Sequence, residues 1–200
     1  MINELITRYP VLRSCRDDIE RAIDTIISCY NNGGKLLLCG NGGSSSDCDH
    51  IVGELMKGFL EKRELTASLK EELGEEFSSH LQGSLPAISL SSFTGLNSAF
   101  ANDVDPDFVY AQSVLGLGKK GDVLIAISTS GNSRNVVNAV KVARALGMKC
   151  ISMTGESGGK LRDMTDICIA VPEKETFKVQ ELHLPVYHTV CASVEKYFFV

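Results

Sequence analysis

No apolar run in this 200-residue chain approaches the roughly 20 residues that a helix needs to cross a membrane. The opening Met1-Ile-Asn-Glu4 has neither a basic patch nor an apolar signal core, so the expectation is an unprocessed, soluble, cytoplasmic protein with no membrane partner. Positive charge is also scarce as a pattern. Lys and Arg number 20 against 25 Asp and Glu, net charge is -5, and the basic residues form no stripe that could neutralise a nucleic-acid backbone, which argues against nucleic acid as a partner. Nor is there a Cys-x-x-Cys pair or another spacing of a cysteine zinc knuckle. The seven cysteines (15, 29, 39, 48, 150, 168 and 191) are odd in number and sit mostly in apolar segments, where a free thiol acts as a small hydrophobe in a reducing compartment.

What is present reads as one α/β domain spanning 1–200, since this length supports one substantial core. Residues 12–31 place Leu12, Cys15, Ile19, Ala22, Ile23, Ile26, Ile27 and Tyr30 on one helical stripe within an N-terminal helical region over 1–32, closed by Asn31-Asn-Gly-Gly34. Short apolar runs follow at 35–39, 87–90, 123–127, 149–153 and 167–171. Helical patterns lie between them at 47–60, 107–117 and 133–146. This alternation predicts a three-layer fold, a parallel sheet flanked by helices. The polar segment 60–85, with leucines at 65, 69 and 73, reads as an inserted, mobile amphipathic helix serving as a lid, a subunit contact or a solvated excursion. A last helix over about 178–198 contains Pro185, which should bend it or spoil its early turns.

Two of the predicted strands run into polar turns that open helices. The first turn, Asn41-Gly42-Gly43-Ser44, lacks the third glycine of a dinucleotide fingerprint, with Ser45 in its place, and lacks the Walker lysine. It is instead a compact nest in which freed backbone amides can hold a phosphate. The second turn offers the hydroxyls of Ser128, Thr129, Ser130 and Ser133, donors suited to a phosphomonoester; helix capping alone accounts for one of the four. In a parallel sheet both turns lie at the carboxyl edge, so they can grip one ligand.

His50 and Glu54 are i,i+4 neighbours on the helix leaving the first turn. Gln180 and His188 are eight apart on the last helix, about 80° around an ideal cylinder. Two imidazoles, a carboxylate and an amide oxygen compose a zinc-type donor set. His183 competes with His188 as the partner of Gln180, and either histidine alone also reads as an ordinary hydrogen-bonded residue.

The wording Cys39-Gly-Asn-Gly-Gly-Ser44, Asp47, His50, Glu54, Gly121-Asp-Val-Leu-Ile-Ala-Ile-Ser-Thr-Ser-Gly-Asn-Ser133, Thr154-Gly-x-x-Gly-Gly-Lys160 and Val179-Gln-Glu-Leu-His-Leu-Pro-Val-Tyr-His188 resembles the sugar isomerase (SIS) domain family, and within it the sedoheptulose 7-phosphate isomerases, over nearly the whole chain outside 60–85. The resemblance implies an aldose–ketose isomerase that takes sedoheptulose 7-phosphate to D-glycero-D-manno-heptose 7-phosphate through an enediol, at the start of heptose synthesis for surface polysaccharide. It implies one zinc per subunit held by His50, Glu54, Gln180 and His188, with Glu54 and His188 as catalytic residues. It also implies that Asn41, Gly42, Gly43, Ser44, Asn102, Asp103, Ser128, Thr129, Ser130, Ser133 and Gln180 bind the phosphosugar in a homotetramer.

Two departures bear on the sugar pocket. Phe93-Thr-Gly95 stands where family members often have Asp-Thr-Ser, and Gly58 stands where an arginine is common; Lys57 or a basic residue at 62–63 is a candidate substitute. Competing readings are an isomerase for another ketose phosphate, and a non-enzymatic scaffold similar to replication initiator-associated SIS proteins.

Overall fold

The computed structural model describes residues 1–200. Five strands form one parallel sheet: β1 (Leu36–Cys39), β2 (Ala87–Ser89), β3 (Val123–Ile127), β4 (Lys149–Thr154) and β5 (Ile167–Ala170), in the order β2-β1-β3-β4-β5. The expected strands are all present, with ends shifted by at most one residue. Side chains alternate across the sheet, so each apolar strand feeds two cores. Leu36, Leu38, Ile125, Ile127, Ile151 and Met153 point to one, packed by α2 (Arg16–Asn31), α3 (Gly43–Met56) and α9 (Thr176–Phe199). Leu37, Cys39, Leu124, Ala126 and Cys150 point to the other, against α6 (Val109–Leu117) and α7 (Arg134–Ala145). All seven cysteines are free thiols.

Several boundaries differ from the periodicity. The first helical stripe is split, because Leu12 and Cys15 lie on a 3-10 turn, Pro10–Cys15, that follows α1 (Ile2–Arg8). α3 starts at Gly43, earlier than expected, and ends at Met56, because Lys57 is extended. α6 starts at Val109, after a 3-10 turn at Pro106–Phe108 capped by the Asp105 side chain.

Pro185 does not spoil the last helix, which is continuous from Thr176 to Phe199. Proline removes one N–H, and the burial of Val179, Val186, Val190 and Val194 on either side holds the remaining turns in place. Between α3 and β2 the polar segment forms α4 (Ala67–Ser78), capped by Thr66 and broken at Gly74 (φ 77°, ψ 172°), with none of its residues buried.

The chain visits β2 on one side of β1 and then crosses to β3 on the other. The turns after β1 and β3 therefore sit side by side at the carboxyl edge, at the switch point where ligands bind in such sheets. α8 (Leu161–Met164) follows the loop after β4 on the same edge.

Candidate active site

Glycine sets the shape of the first turn. Gly42 has φ +55° and ψ -123°, a conformation that side chains resist, and a β-carbon on Gly40 would lie 2.7 Å from the Ser44 carbonyl oxygen. Asn41, Gly42 and Gly43 face solvent, whereas Ser44 is buried. The nest is narrower than expected, because Ser44 N–H donates to the Asn41 carbonyl (3.1 Å) and the Ser45 and Ser46 amides donate to the Gly42 carbonyl (3.0 and 3.2 Å).

In the second turn the Ser128 and Ser133 hydroxyls are 3.0 Å apart, and Ser130 Oγ accepts from Asn132 N–H. Ser128 is buried, Thr129 and Ser133 are half-buried and Ser130 is exposed. The Gly-rich loop after β4 supports this turn from below: Gly155 N–H donates to the Thr129 carbonyl, Leu161 N–H to the Gly131 carbonyl, and Lys160 N–H to Asn132 Oδ1.

The two turns are tied directly. Asn41 and Asn135 exchange amide hydrogen bonds of 2.9 Å in both directions, a link the sequence reading did not contain. Gly131 (φ +65°) abuts Gly158 so closely that a β-carbon would collide with its carbonyl. Gly131→Ala is therefore expected to cost about 1–3 kcal/mol and to weaken phosphate binding. Chemical denaturation and inorganic-phosphate titration read both, and unchanged values in the two assays would contradict the role given to this loop contact.

One turn further along α3, three side chains meet. His50 Nε2 is 3.0 Å from Glu54 Oε1 and 3.4 Å from His188 Nε2, the latter reaching across from α9. Lys57 Nζ donates to the second Glu54 oxygen at 3.3 Å. Burial, followed by the neighbouring His50, pushes the His188 imidazole below its ordinary value against the opposing pull of Glu54.

His183 is elsewhere. It is fully buried, one ring nitrogen pairs with the Thr154 carbonyl at 3.2 Å, and burial pushes its pKa down to about 4, so it is a neutral core residue. Gln180 does not join the trio by any hydrogen bond. Its amide lies against the first turn, where a β-carbon on Gly43 would be 2.6 Å from Gln180 Nε2. Asn102 and Asp103, at the end of α5 (Thr94–Asp103), are exposed and hydrogen-bonded only to each other. A cleft of about 480 Å³ opens beside His188, with Tyr9, Phe59, Leu60 and Leu184 among its walls.

Around the trio lie residues whose contacts the sequence did not reveal. Tyr187 is buried, and its hydroxyl is 3.0 Å from His50 Nδ1 and 3.3 Å from Asp47 Oδ1. Burial raises the Asp47 carboxyl above its ordinary value, and the Tyr187 hydrogen bond and His50 offset this only in part. Arg63, fully buried, pairs with Glu195 and donates to the carbonyls of Leu55 and Glu54 at the end of α3. Arg63 thus grips the backbone and does not enter the sugar pocket; of the basic candidates, Lys57 is the one that reaches Glu54. Gly58 has no space for a side chain, since its β-carbon would lie 2.5 Å from the Glu61 carbonyl oxygen.

An SIS domain model matches residues 96–193, and a second SIS domain model matches residues 4–71. The chain is 38% identical over 185 residues to a phosphoheptose isomerase of Aliarcobacter butzleri, covering 92% of this chain and 88% of that protein. Among solved structures it resembles a phosphoheptose isomerase from Francisella tularensis, with TM-score 0.80, 31% identity and coverage of 94% and 91%. It also resembles one from Neisseria gonorrhoeae, with TM-score 0.73, 34% identity and coverage of 89% and 86%.

Proposed function

Because the chain belongs to the phosphoheptose isomerase family of SIS-domain proteins and is an aldose–ketose isomerase, we propose that it interconverts sedoheptulose 7-phosphate and D-glycero-D-manno-heptose 7-phosphate. The observation that carries this reading is the meeting of His50, Glu54 and His188 beside two linked phosphate-type turns.

The donor types suit zinc, and two of their separations support that reading. Bonds of about 2.0–2.1 Å in a tetrahedral array place ligand atoms roughly 3.3 Å apart, and the His50–Glu54 and His50–His188 separations are 3.0 and 3.4 Å. His50, Glu54 and His188 would hold the ion, with Gln180 as the fourth ligand once its amide swings from Gly43. A bound zinc would polarise the sugar carbonyl and stabilise negative charge on the oxygens.

The protein's own groups account for the remaining steps. Ser128, Thr129, Ser130 and Ser133, with the Asn41–Ser44 turn, hold the phosphate and set the reach of the sugar. Glu54 removes the proton from the carbon beside the carbonyl, the C–H electrons become the double bond of a cis-enediol, and the former carbonyl oxygen takes up a proton. His188 moves protons between the two oxygens, and return of a proton to the neighbouring carbon completes the isomerisation. Glu54 has one oxygen toward His50 and one toward Lys57, so ligand and base duties can fall on different oxygens or alternate during turnover.

We place the enzyme in the cytoplasm at the start of heptose supply for surface polysaccharide. Seven free thiols support a reducing compartment, and no helix is long and apolar enough to cross a membrane. We also propose a homotetramer; the open cleft at His188, with exposed Leu60 and Leu184 beside it, supports a contact with another subunit there.

The test is turnover of sedoheptulose 7-phosphate before and after chelation. Activity should disappear with the chelator and return with zinc. Chelator-resistant turnover would remove the metal, turnover of only another ketose phosphate would move the substrate, and none at all would leave a phosphosugar-binding scaffold.

A further inference from the structure

We propose that Tyr110 is a positioning residue for the first phosphate turn: its hydroxyl clamps the Gly40–Asn41 peptide and so aims the Asn41 amide at the phosphate. The inference rests on the phosphate role given above to that turn and adds a residue from outside the turn that shapes it. Tyr110 is buried on α6, in the same core as Leu37, Cys39, Val136 and Val140, and its hydroxyl donates to the Gly40 carbonyl at 2.6 Å.

This bond has one possible direction, because a carbonyl oxygen can only accept. It is also the only hydrogen bond that the buried Gly40 carbonyl makes, since no backbone amide and no other side chain donates to it. A trans peptide unit points its C=O and N–H in opposite directions. With the Gly40 oxygen turned inward to Tyr110, the Asn41 N–H is turned away from that core, on a residue that faces solvent. Neither it nor the Gly42 N–H donates to any protein group, which leaves both amides open to an anion.

Glycine makes an outside clamp necessary. Gly40 lacks the β-carbon that would restrict its rotation, and none fits there beside the Ser44 carbonyl. The turn's own bonds begin one carbonyl later, with Ser44 N–H on Asn41 and the Ser45 and Ser46 N–H groups on Gly42. Asn135 holds the side chain of Asn41 and leaves its backbone alone. Among hydrogen bonds, only that from Tyr110 opposes rotation of the Gly40–Asn41 peptide.

The experiment uses the full chain and Tyr110→Phe, which keeps the ring in the core and removes only the hydroxyl. The Gly40 carbonyl is then buried without a donor, which drives the peptide to turn. The Kd for inorganic phosphate and the KM for sedoheptulose 7-phosphate should rise together by about 3–10-fold with kcat near the wild-type value, the pattern of binding lost equally from ground and transition states. A merely structural hydroxyl would lower the urea midpoint and leave both constants in place. In phosphate-free protein, the Gly40 carbonyl ¹³C and Asn41 amide ¹⁵N signals should move between wild type and variant.

Unchanged Kd and KM in Tyr110→Phe overturn the clamp, as do Gly40 and Asn41 signals that stay in place. Should Tyr110→Phe fail to fold, the wild type decides: with ring-labelled tyrosine, of which the chain has five, the Tyr110 hydroxyl proton should exchange slowly with water, and fast exchange overturns the clamp. If phosphate leaves the wild-type Asn41 and Gly42 amide signals unmoved, the phosphate reading of the turn fails, while the Gly40 and Asn41 shifts between wild type and variant still decide the clamp.

Discussion

Arg63→Met is expected to lower the unfolding free energy by about 3–5 kcal/mol, the range for removing one partner of a buried ion pair. The Arg63 and Glu195 side chains are almost completely shielded, and Arg63 Nε lies 2.8 Å from Glu195 Oε1. Glu195 also accepts the backbone amides of Phe59 (2.7 Å), Leu60 (2.7 Å) and Glu61 (3.2 Å), and the guanidinium stacks over Phe199 at 4.9 Å. One pair thus joins the end of α3, the loop beyond it and the end of α9. Without Arg63 the carboxylate stays buried against amides alone, the Glu54 carbonyl loses the guanidinium, and the Leu55 carbonyl keeps only the Leu85 amide.

Burial would raise the Glu195 carboxyl, but the amides of Phe59 and Leu60 and the Arg63 guanidinium outweigh it and hold the group below its ordinary 4.5. A carboxyl lowered on folding stabilises the fold above its unfolded value, and that stability drains as pH falls through the folded value. Acid unfolding should therefore be shallower for Arg63→Met/Glu195→Leu than for the wild type, and the double variant should recover most of the single variant's loss. Urea midpoints at neutral and acid pH provide the check. A loss below about 1 kcal/mol for Arg63→Met would show that the pair is not the tie described.

The same pair shows where a sequence stops being readable. β3 and α7 were legible because an apolar run bounded by Gly121-Asp122 and a 3.6-residue stripe closed by Gly147 each have one physical solution. His50 and Glu54 were legible as a pair because i,i+4 geometry is local. Arg63 sits among Glu61, Lys62 and Glu64 and was a candidate for the sugar pocket, and only its long-range partner reveals a buried tie. Glu195 on an otherwise apolar stretch of α9 was the one available hint.

α5 buries no residue, so it left no stripe to detect. Tyr187 meets His50 and Asp47 only because α3 and α9 lie side by side. Gln180 and His188 were expected on one face; the fold puts His188 at the imidazole–carboxylate pair and Gln180 against the first turn. An angle around one helix cannot say which neighbour each position meets.

Glu54→Gln is expected to reduce exchange of the substrate's carbon-bound proton with solvent by about 10²–10⁴-fold while leaving phosphosugar binding nearly intact. The amide matches the carboxylate in shape and keeps an oxygen for His50, but it has no negative charge with which to take a proton from carbon. Lys57 loses its ionic partner and keeps its bond to the Gly58 carbonyl, so the end of α3 remains anchored there and through Arg63.

Zinc content has to be measured alongside, because the same side chain is a proposed ligand. A zinc-replete Glu54→Gln enzyme that binds sugar phosphate but exchanges no proton isolates the base function. His188→Gln should behave differently: with Glu54 intact, the substrate proton still washes out into deuterated solvent, while isomerisation falls because protons no longer move between the two oxygens. If Glu54→Gln retains exchange at the wild-type rate with its metal in place, the proton is taken by another group. Lys57 would then be the first to examine, since its ammonium pairs with that carboxylate and would have to lose a proton before acting as base.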